Sequence, residues 1–268
     1  VTAPDYDFAD FGKGAIDFST NADGSLTTIP YLIDYWMLYY NKELFEQKGI
    51  AYPASLDDMV AAAAQLTDAS NGVYGFASRG QKAANVPVWT VLMLGQDMDA
   101  IDPATSVFNT ETPEAVWAAE MYKRLNTEFA PPGTIGFNWN ECQTSFLQGK
   151  LGMWLDAIGF AAPFEDASKS QVVGKVGYGV TPKGPKAHHT GVFGEGIGIA
   201  AASERTPAAW LYVQWATNKA NQLTMFKSGS GAPARVSPFN DKATIASSPF
   251  GQQYFDCLTG SAAIGRAG

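Results

Sequence analysis

Short apolar segments alternate along the chain with segments whose apolar residues recur at helical spacing. Residues 27–40 are apolar and rich in β-branched and aromatic side chains, with Asp34 near the middle, so we predict two strands that meet at Asp34. Residues 151–156 predict a further strand, and the glycine-spaced residues 193–201 follow a loop rich in proline and glycine. Strands separated by helices indicate an α/β protein with a mostly parallel sheet.

Capping residues set the predicted helix boundaries. Ser55 and Asp58 form a capping box, and Thr112 followed by a proline is typical of a helix N-terminus. The predicted helices cover residues 41–48, 56–66, 113–128, 138–148 and 207–227. Three tryptophans lie at helical spacing among apolar neighbours and are predicted to be in the core: Trp117, Trp210 and Trp215.

The composition narrows the class of protein. Of the 268 residues, 46% are apolar and only 16% are charged, which predicts a folded protein of one or two domains. The net charge of -8 and the lack of any Lys/Arg run argue against nucleic-acid binding. No apolar stretch approaches the roughly 20 residues that a membrane-spanning helix requires. Aromatic residues form 13% of the chain, so some are expected in clefts.

Residues that carry metal, redox or nucleotide chemistry are scarce. Cys142 and Cys257 allow one disulfide or two buried thiols, and the adjacent His188 and His189 are predicted to lie in a surface loop. No metal-type cysteine pair, phosphate loop, dinucleotide fingerprint or G-x-S-x-G turn is present. We therefore predict neither a metal nor a cofactor.

Two segments are candidates for passage between domains. The first is residues 179–185, which contain two prolines and two glycines and come after a strand-like segment. The second is the approach to Ile29 and Pro30. If both are crossings, the chain passes between two lobes more than once. Ligands of such proteins bind in the cleft between the lobes.

Five motifs follow one another along most of the chain. They are IPY, Asp34 and LYYNKELF within residues 29–45, FLQGK leading into MWLD within 146–156, FGEGIGI at 193–199, AAWLYVQWAT at 208–217, and GAPAR at 231–235. In this order they resemble the motifs of the family 1 extracellular solute-binding proteins, the sugar-binding receptors of ABC importers. The βαβ unit with which members of that family open has no counterpart here, so the chain is expected to be a fragment or a processed form.

The resemblance implies an α/β protein with the two-lobed, type II periplasmic binding-protein fold, in which the chain crosses between lobes and the first lobe is incomplete. It assigns residues 1–29 and 182–220 to the first lobe, and residues 30–181 and 221–268 to the second. It implies a protein that is not an enzyme and that binds a neutral sugar, polyol or short oligosaccharide. This protein would deliver its ligand to ABC permease subunits, as a monomer in the periplasm or anchored outside a Gram-positive cell.

Sugar rings stack on aromatic side chains, and sugar hydroxyl groups pair with carboxylates, amides and guanidinium groups. Positions where these residue types adjoin, or that the resemblance places along the cleft, are the predicted ligand-binding residues: Asp34, Tyr35, Trp36, Trp89, Trp139, Glu141, Trp154, Asp156, Phe193, Gly194, Glu195 and Arg235.

Several of these residues also have a purely structural interpretation, and two alternative functions remain open. The structural alternatives are Asp34 as a hinge acceptor for backbone N–H groups, Trp36 as a core residue, Trp139 and Glu141 as parts of a helix N-terminus, Glu195 as an acid facing water, and Arg235 as the partner of a loop carboxylate. Carboxylates beside tryptophans are also typical of glycosidases, whose two acids lie about 5 to 10 Å apart. A scaffold or sensor partner with the same fold is a further alternative.

Overall fold

The fold is a mixed β-sheet with helices between its strands, and the computed structural model describes residues 2–21, 23–102, 104–229, 231–259 and 264–267. The strands in these residues are β1 (Ile29–Asn41), β2 (Tyr74–Ala77), β3 (Leu151–Ala157), β4 (Val176–Val180), β5 (His189–Ile197) and β6 (Ile264–Ala267). The helices are α1 (Lys13–Ser19), α2 (Lys42–Lys48), α3 (Leu56–Leu66), α4 (Val86–Leu94), α5 (Pro113–Glu128), α6 (Trp139–Leu147), α7 (Thr206–Ala216), α8 (Lys219–Ser228), α9 (Lys242–Ala246) and α10 (Gly251–Thr259).

The long strand β1 takes part in both halves of the sheet. Its first half pairs with β5 as far as Tyr35, which lies opposite Val192. From Trp36 onward β1 pairs with β3 on one edge, and from Met37 onward it pairs with β4 on the other. The sequence predicts two strands meeting at Asp34, whereas the structure has one continuous strand whose partners change directly after Tyr35.

The prediction of a mostly parallel sheet is wrong. β1 pairs antiparallel with β3, β4 and β5, and parallel pairing is found between β2 and β3 and between β5 and β6. The prediction assumed that strands following one another along the chain pair through a helical crossover, which makes them parallel. The partners of β1 come from much later in the chain, so this constraint does not apply to them.

Local capping chemistry defines several helix ends as predicted. The side chain of Asn41 accepts hydrogen bonds from two backbone N–H groups in the first turn of α2, and Gly49 ends that helix with a φ of 66°. Ser55 and Asp58 form the predicted capping box of α3. The side chain of Thr112 caps α5. These bonds join residues close in sequence, which is why the sequence predicts them well.

The core lies on both faces of the sheet, because side chains alternate along β1. Tyr35, Met37 and Tyr39 are buried in one apolar cluster, and Trp36 and Leu38 are buried in the other. The half of β1 that follows the change of partners is therefore covered on both sides. This burial holds the strand rigid next to the candidate site described below.

The prediction that Trp215 lies in the core is wrong. Its side chain is 60% exposed, and so are its α7 neighbours Leu211 and Tyr212, at 62% and 60%. The opposite face of α7, at Val213 and Gln214, is the buried one. Helical spacing places Leu211 and Trp215 on one face, but no element in the described part of the chain packs over that face. Trp117 and Trp210 are half-buried against the two core clusters.

The surface-loop prediction is wrong for His189, which begins β5. Its side chain is 14% exposed, and Nε2 lies 3.0 Å from a carboxylate oxygen of Asp97. His188 precedes the strand and is half-buried. Cys142 and Cys257 are buried free thiols, and burial raises the pKa of both. Within the described residues, none of the helices has both the length and the apolar character that crossing a bilayer needs.

Candidate ligand-binding site

A cavity of about 330 Å³ lies beside the point where β1 changes partners. Trp36 and Arg79 form one part of its wall, α4 contributes Val86, Pro87, Thr90 and Val91, and Phe193 with its β5 neighbours contributes the rest. Aromatic rings together with a hydrogen-bond donor are the groups that sugar and polyol ligands require. Of the predicted ligand-binding residues, Trp36 and Phe193 lie together in this wall.

A second, wider groove of about 560 Å³ lies between the start of the chain and α7. Its lining comes from residues 3–6 and 211–220, including the exposed Trp215. None of the predicted ligand-binding residues contributes to it. The smaller cavity at the strand crossing is therefore the candidate site.

Arg79 is the charged group of the cavity wall, and sequence reasoning missed it. Its Nε and Nη2 atoms donate to the two carboxylate oxygens of Asp156, over 2.9 and 2.5 Å. The guanidinium carbon lies 5.0 Å from the ring centroid of Trp36 and 5.6 Å from that of Phe160. The bidentate pair and the two rings together hold the guanidinium group in one orientation.

Asp156 acts on the cavity through Arg79. Its side chain is fully buried and is absent from the cavity wall. Its carboxylate also accepts the backbone N–H of Ala157 over 2.7 Å. Burial raises the pKa of Asp156, while the neighbouring Arg79 opposes that rise. Direct contact of Asp156 with a ligand stays a prediction from the sequence.

Asp34 occupies the position of a hinge acceptor, which was its structural alternative. Its carboxylate accepts the backbone N–H groups of Tyr35 and Gly159, over 3.0 and 3.1 Å. The side chain is 6% exposed. Burial raises the pKa of Asp34 to about 7, with a further contribution from the negative charge of Asp156. Asp34 thus joins β1 to the segment after β3 at the change of strand partners.

We expect Asp34 to make stability depend on pH near neutrality. Burial raises its pKa from the usual value of 3.8 to about 7 in the folded protein, so the stability it contributes is present at low pH and lost as pH rises through 7. Relative to Asp34→Asn, the wild-type free energy of unfolding should fall by about 3 kcal/mol between pH about 5 and about 8. Urea titrations of both proteins across this range measure the difference, and parallel pH profiles would contradict it.

Trp139 stands at the outer end of an aromatic stack. Its ring lies 4.8 Å from that of Phe160 at an interplanar angle of 8°, and Phe160 stacks in the same way on the fully buried Trp154 at 5.9 Å. Trp139 is 38% exposed. Because Arg79 packs on Phe160 as well, the stack supports the cavity wall from behind.

Three other predicted ligand-binding residues pack against the core of the protein. Tyr35 is buried against Tyr254, with ring centroids 5.3 Å apart. Trp154 stacks on Tyr39 in the core at 4.9 Å. The half-buried Trp89 packs against the second core cluster, and its indole N–H donates to a backbone carbonyl over 3.4 Å. A ligand role for these three stays a prediction.

The two predicted glutamates differ in their surroundings. The carboxylate of Glu141 accepts the backbone N–H of Asn138 over 2.8 Å and completes the capping box of α6, as in its structural alternative. Glu195 is exposed near the end of β5, next to the half-buried Gly194. The described residues contain no group of three or more His, Cys, Asp or Glu side chains that could hold a metal ion.

Arg235 is fully buried and holds the start of the chain. Its guanidinium group donates to the backbone carbonyls of Tyr6, Asp7 and Thr217 over 2.6 to 2.8 Å. It also lies 3.2 Å from a carboxylate oxygen of Asp10. Arg235 therefore has the carboxylate partner of its structural alternative, and its ligand role stays a prediction.

Comparison with solved structures identifies the class of protein to which this fold belongs. The fold is the two-lobed, type II fold of the periplasmic binding proteins, as predicted. The chain superposes with a TM-score of 0.85 on the solved structure of an ABC transporter solute-binding protein from Agrobacterium radiobacter K84 in complex with ribitol. The two proteins are 28% identical, and the match covers 94% of this chain and 65% of that chain.

The chain belongs to the bacterial extracellular solute-binding protein family, whose family model matches residues 1–223. It is 28% identical to a probable amino-acid ABC transporter periplasmic-binding protein from Sinorhizobium fredii, over 92% of this chain and 56% of that relative. It is 26% identical to the erythritol/L-threitol-binding protein of Mycolicibacterium smegmatis, over 98% of this chain and 59% of that relative. The chain thus spans a little over half the length of the curated relatives that it matches, and the resemblance found in its motifs is confirmed.

Proposed function

We propose that the protein is the substrate-binding component of an ABC importer and binds a neutral sugar or polyol at the cavity between Trp36, Arg79 and Phe193. The observation that carries the proposal is this cavity, in which aromatic rings and a fixed guanidinium group meet at the strand crossing. A relative named for erythritol and L-threitol, and a similar structure in complex with ribitol, support a polyol. The protein delivers its ligand to permease subunits, in the periplasm or outside the cell membrane.

The size of the cavity favours a small ligand. Its volume of about 330 Å³ is near the lower end of the range of small-molecule sites, about 300 to 1,000 Å³. The C–H face of a sugar or polyol packs on Trp36 and Phe193, and its hydroxyl oxygens accept the free N–H groups of Arg79. A single sugar or polyol fills this space, and an oligosaccharide extends towards the exposed ring of Trp139.

Closure of two lobes around the ligand completes the proposed mechanism. We assign residues 1–29 and 182–220 to one lobe and residues 30–181 and 221–268 to the other. The loop between β4 and β5 supports the division near residue 182, and the strand that begins at the division near residue 29 is the one whose partners change, after Tyr35. Bending at these connections brings the lobes together, and a ligand that contacts both lobes selects the closed state.

The surroundings of the carboxylates fit a binding protein better than they fit a glycosidase. A glycosidase needs two acids with access to the substrate, one to donate a proton and one to act as base or nucleophile. Asp156 is fully buried in an ion pair with Arg79, and the carboxylate of Asp34 is occupied by backbone N–H groups. Neither carboxylate reaches the cavity wall.

Calorimetric titration with a panel of neutral ligands tests the proposal. We expect micromolar binding of at least one of erythritol, ribitol, D-mannitol, glucose or maltose, and no binding of amino acids. Phe193→Ala should weaken the binding about tenfold, because it removes one stacking ring. Tyr212→Ala removes an exposed ring on α7 and should leave the affinity unchanged. Failure of every neutral ligand to bind the wild-type protein, or preference for an amino acid, would refute the proposal.

A further inference from the structure

We propose that Asp156 makes the site selective for uncharged ligands by neutralising Arg79, the donor that meets the ligand. This inference rests on the proposed function and assigns its selectivity to one ion pair. Asp156 is then a positioning residue that acts through Arg79, rather than a residue that touches the ligand. The ligands to be rejected are sugar acids, which differ from the corresponding polyols by a carboxylate.

The hydrogen bonds of Arg79 leave donors for a ligand. Asp156 takes the Nε hydrogen and one hydrogen on Nη2. The remaining N–H groups, on Nη1 and Nη2, have no acceptor among the described residues, and Arg79 lines the cavity. Hydroxyl oxygens of a polyol can accept these hydrogens without any change in the ion pair.

Neither partner of the ion pair can move away to adapt to another ligand. The guanidinium group lies against Trp36 and Phe160, and the backbone carbonyl of Arg79 accepts the hydroxyl group of Tyr122 over 2.9 Å. Asp156 is fully buried in β3 and is also bonded to its neighbouring backbone N–H. The charge of Arg79 therefore stays paired whatever the ligand is.

The charge balance of the site disfavours an anion. Among the lining residues in the described chain, Arg79 carries the only charged side chain, and Asp156 cancels its charge. A ligand carboxylate bound to Arg79 would also lie near the carboxylate of Asp156. The other ionisable group next to Asp156 is Asp34, an acid that cannot supply a positive charge to attract an anion. An anionic ligand thus loses its hydration without gaining a net opposite charge.

The test compares polyols with their matching sugar acids. We measure the affinities of ribitol and ribonate, and of D-mannitol and mannonate, for the wild-type protein and for Asp156→Asn. The wild-type protein should prefer the polyol of each pair. Asp156→Asn leaves Arg79 unpaired, so the ratio of the two affinities should shift towards the acid by about tenfold or more. A shift of this kind does not arise from loss of packing alone.

A second variant and a salt titration keep the test decisive if Asp156→Asn folds poorly. Arg79→Gln with Asp156→Asn removes both charges together and should weaken polyol binding without raising the preference for the acid. Added salt should leave wild-type polyol affinity unchanged, because a neutral site and a neutral ligand have no net charge to screen.

The outcomes separate the inference from the proposed function. A wild-type protein that binds a sugar acid more tightly than its polyol would overturn the inference while leaving a solute-binding role. An unchanged affinity ratio in Asp156→Asn would also overturn it. Failure of the wild-type protein to bind any sugar, polyol or sugar acid would refute the proposed function itself, and with it the inference.

Discussion

Replacing Arg235 with methionine is expected to lower the free energy of unfolding by about 4 kcal/mol. The guanidinium group is fully buried, with its carbon 4.1 Å from the ring centroid of Phe11. Methionine fills a similar volume but donates no hydrogen bond. The buried carbonyls of Tyr6 and Thr217 would then be left without their donor, and the partly exposed carbonyl of Asp7 would lose its donor as well. Urea denaturation followed by tryptophan fluorescence measures the loss.

Lys219→Met is the matched control for Arg235. The amino group of Lys219 lies 2.7 Å from a carboxylate oxygen of Asp7, so it contacts the same segment as Arg235. Both side chains of this pair are nearly half exposed, at 45% and 46%. Removal of the Lys219 amino group should lower the free energy of unfolding far less than Arg235→Met does, because water screens an exposed ion pair. Equal losses in the two variants would show that burial of Arg235 is not what makes its contacts important.

Replacing Gly80 with alanine should impair both stability and ligand binding. The backbone N–H of Gly80 donates to the carbonyl of Phe137 over 2.9 Å, which brings the segment after β2 against the loop before α6. A methyl group on Gly80 would overlap the backbone carbonyl of Thr134, which cannot rotate away. We expect a loss of about 3 kcal/mol in the free energy of unfolding. Ligand affinity should fall about tenfold, because the neighbouring Arg79 must move with the backbone.

Gly136→Ala tests whether the effect comes from the close contact. Gly136 lies in the same loop as Thr134, but a methyl group there would have no neighbouring atom within 4 Å. This variant should stay within about 0.5 kcal/mol of the wild type and bind ligand equally well. Calorimetric titration and urea denaturation of both variants provide the two measurements. Wild-type behaviour of Gly80→Ala would contradict the assigned packing.

The sequence predicted best those features that arise from neighbouring residues. The capping box of Ser55 and Asp58 and the glycine end at Gly49 depend on hydrogen bonds within a few positions, and both are present. The direction of strand pairing depends on contacts between distant segments. The prediction of a mostly parallel sheet failed for that reason.

Arg79 was missed because its importance comes from a distant strand. β2 pairs in parallel with β3, with Ala77 opposite Trp154, so the residues that follow Ala77 approach Asp156 at the same edge of the sheet. The sequence alone marks Asp156 as a carboxylate near the end of a strand. It does not reveal that β2 is the neighbour of β3, and without that pairing Arg79 is one basic residue in a loop.

Side chains alternate between the two faces of β1, which explains why two adjacent residues that were predicted together lie in different surroundings. Tyr35 and Trp36 were predicted together because both are aromatic and follow Asp34. In a strand they point to opposite faces, so Tyr35 packs in one core cluster while Trp36 lies in the other and lines the cavity. Phe193 was chosen because it lies close to Glu195 in the glycine-rich segment that the resemblance places along the cleft, and the structure places its ring in the cavity wall.

The long strand β1 also has a consequence for how the protein folds. Its pairing partners lie in residues 151–197, so the strand remains without them until that part of the chain has been synthesised. Contacts of such high sequence separation slow folding, because a long loop must close before any of them forms. An apolar strand whose partners are synthesised late stays exposed for longer, which leaves time for a chaperone to bind it before the chain becomes compact.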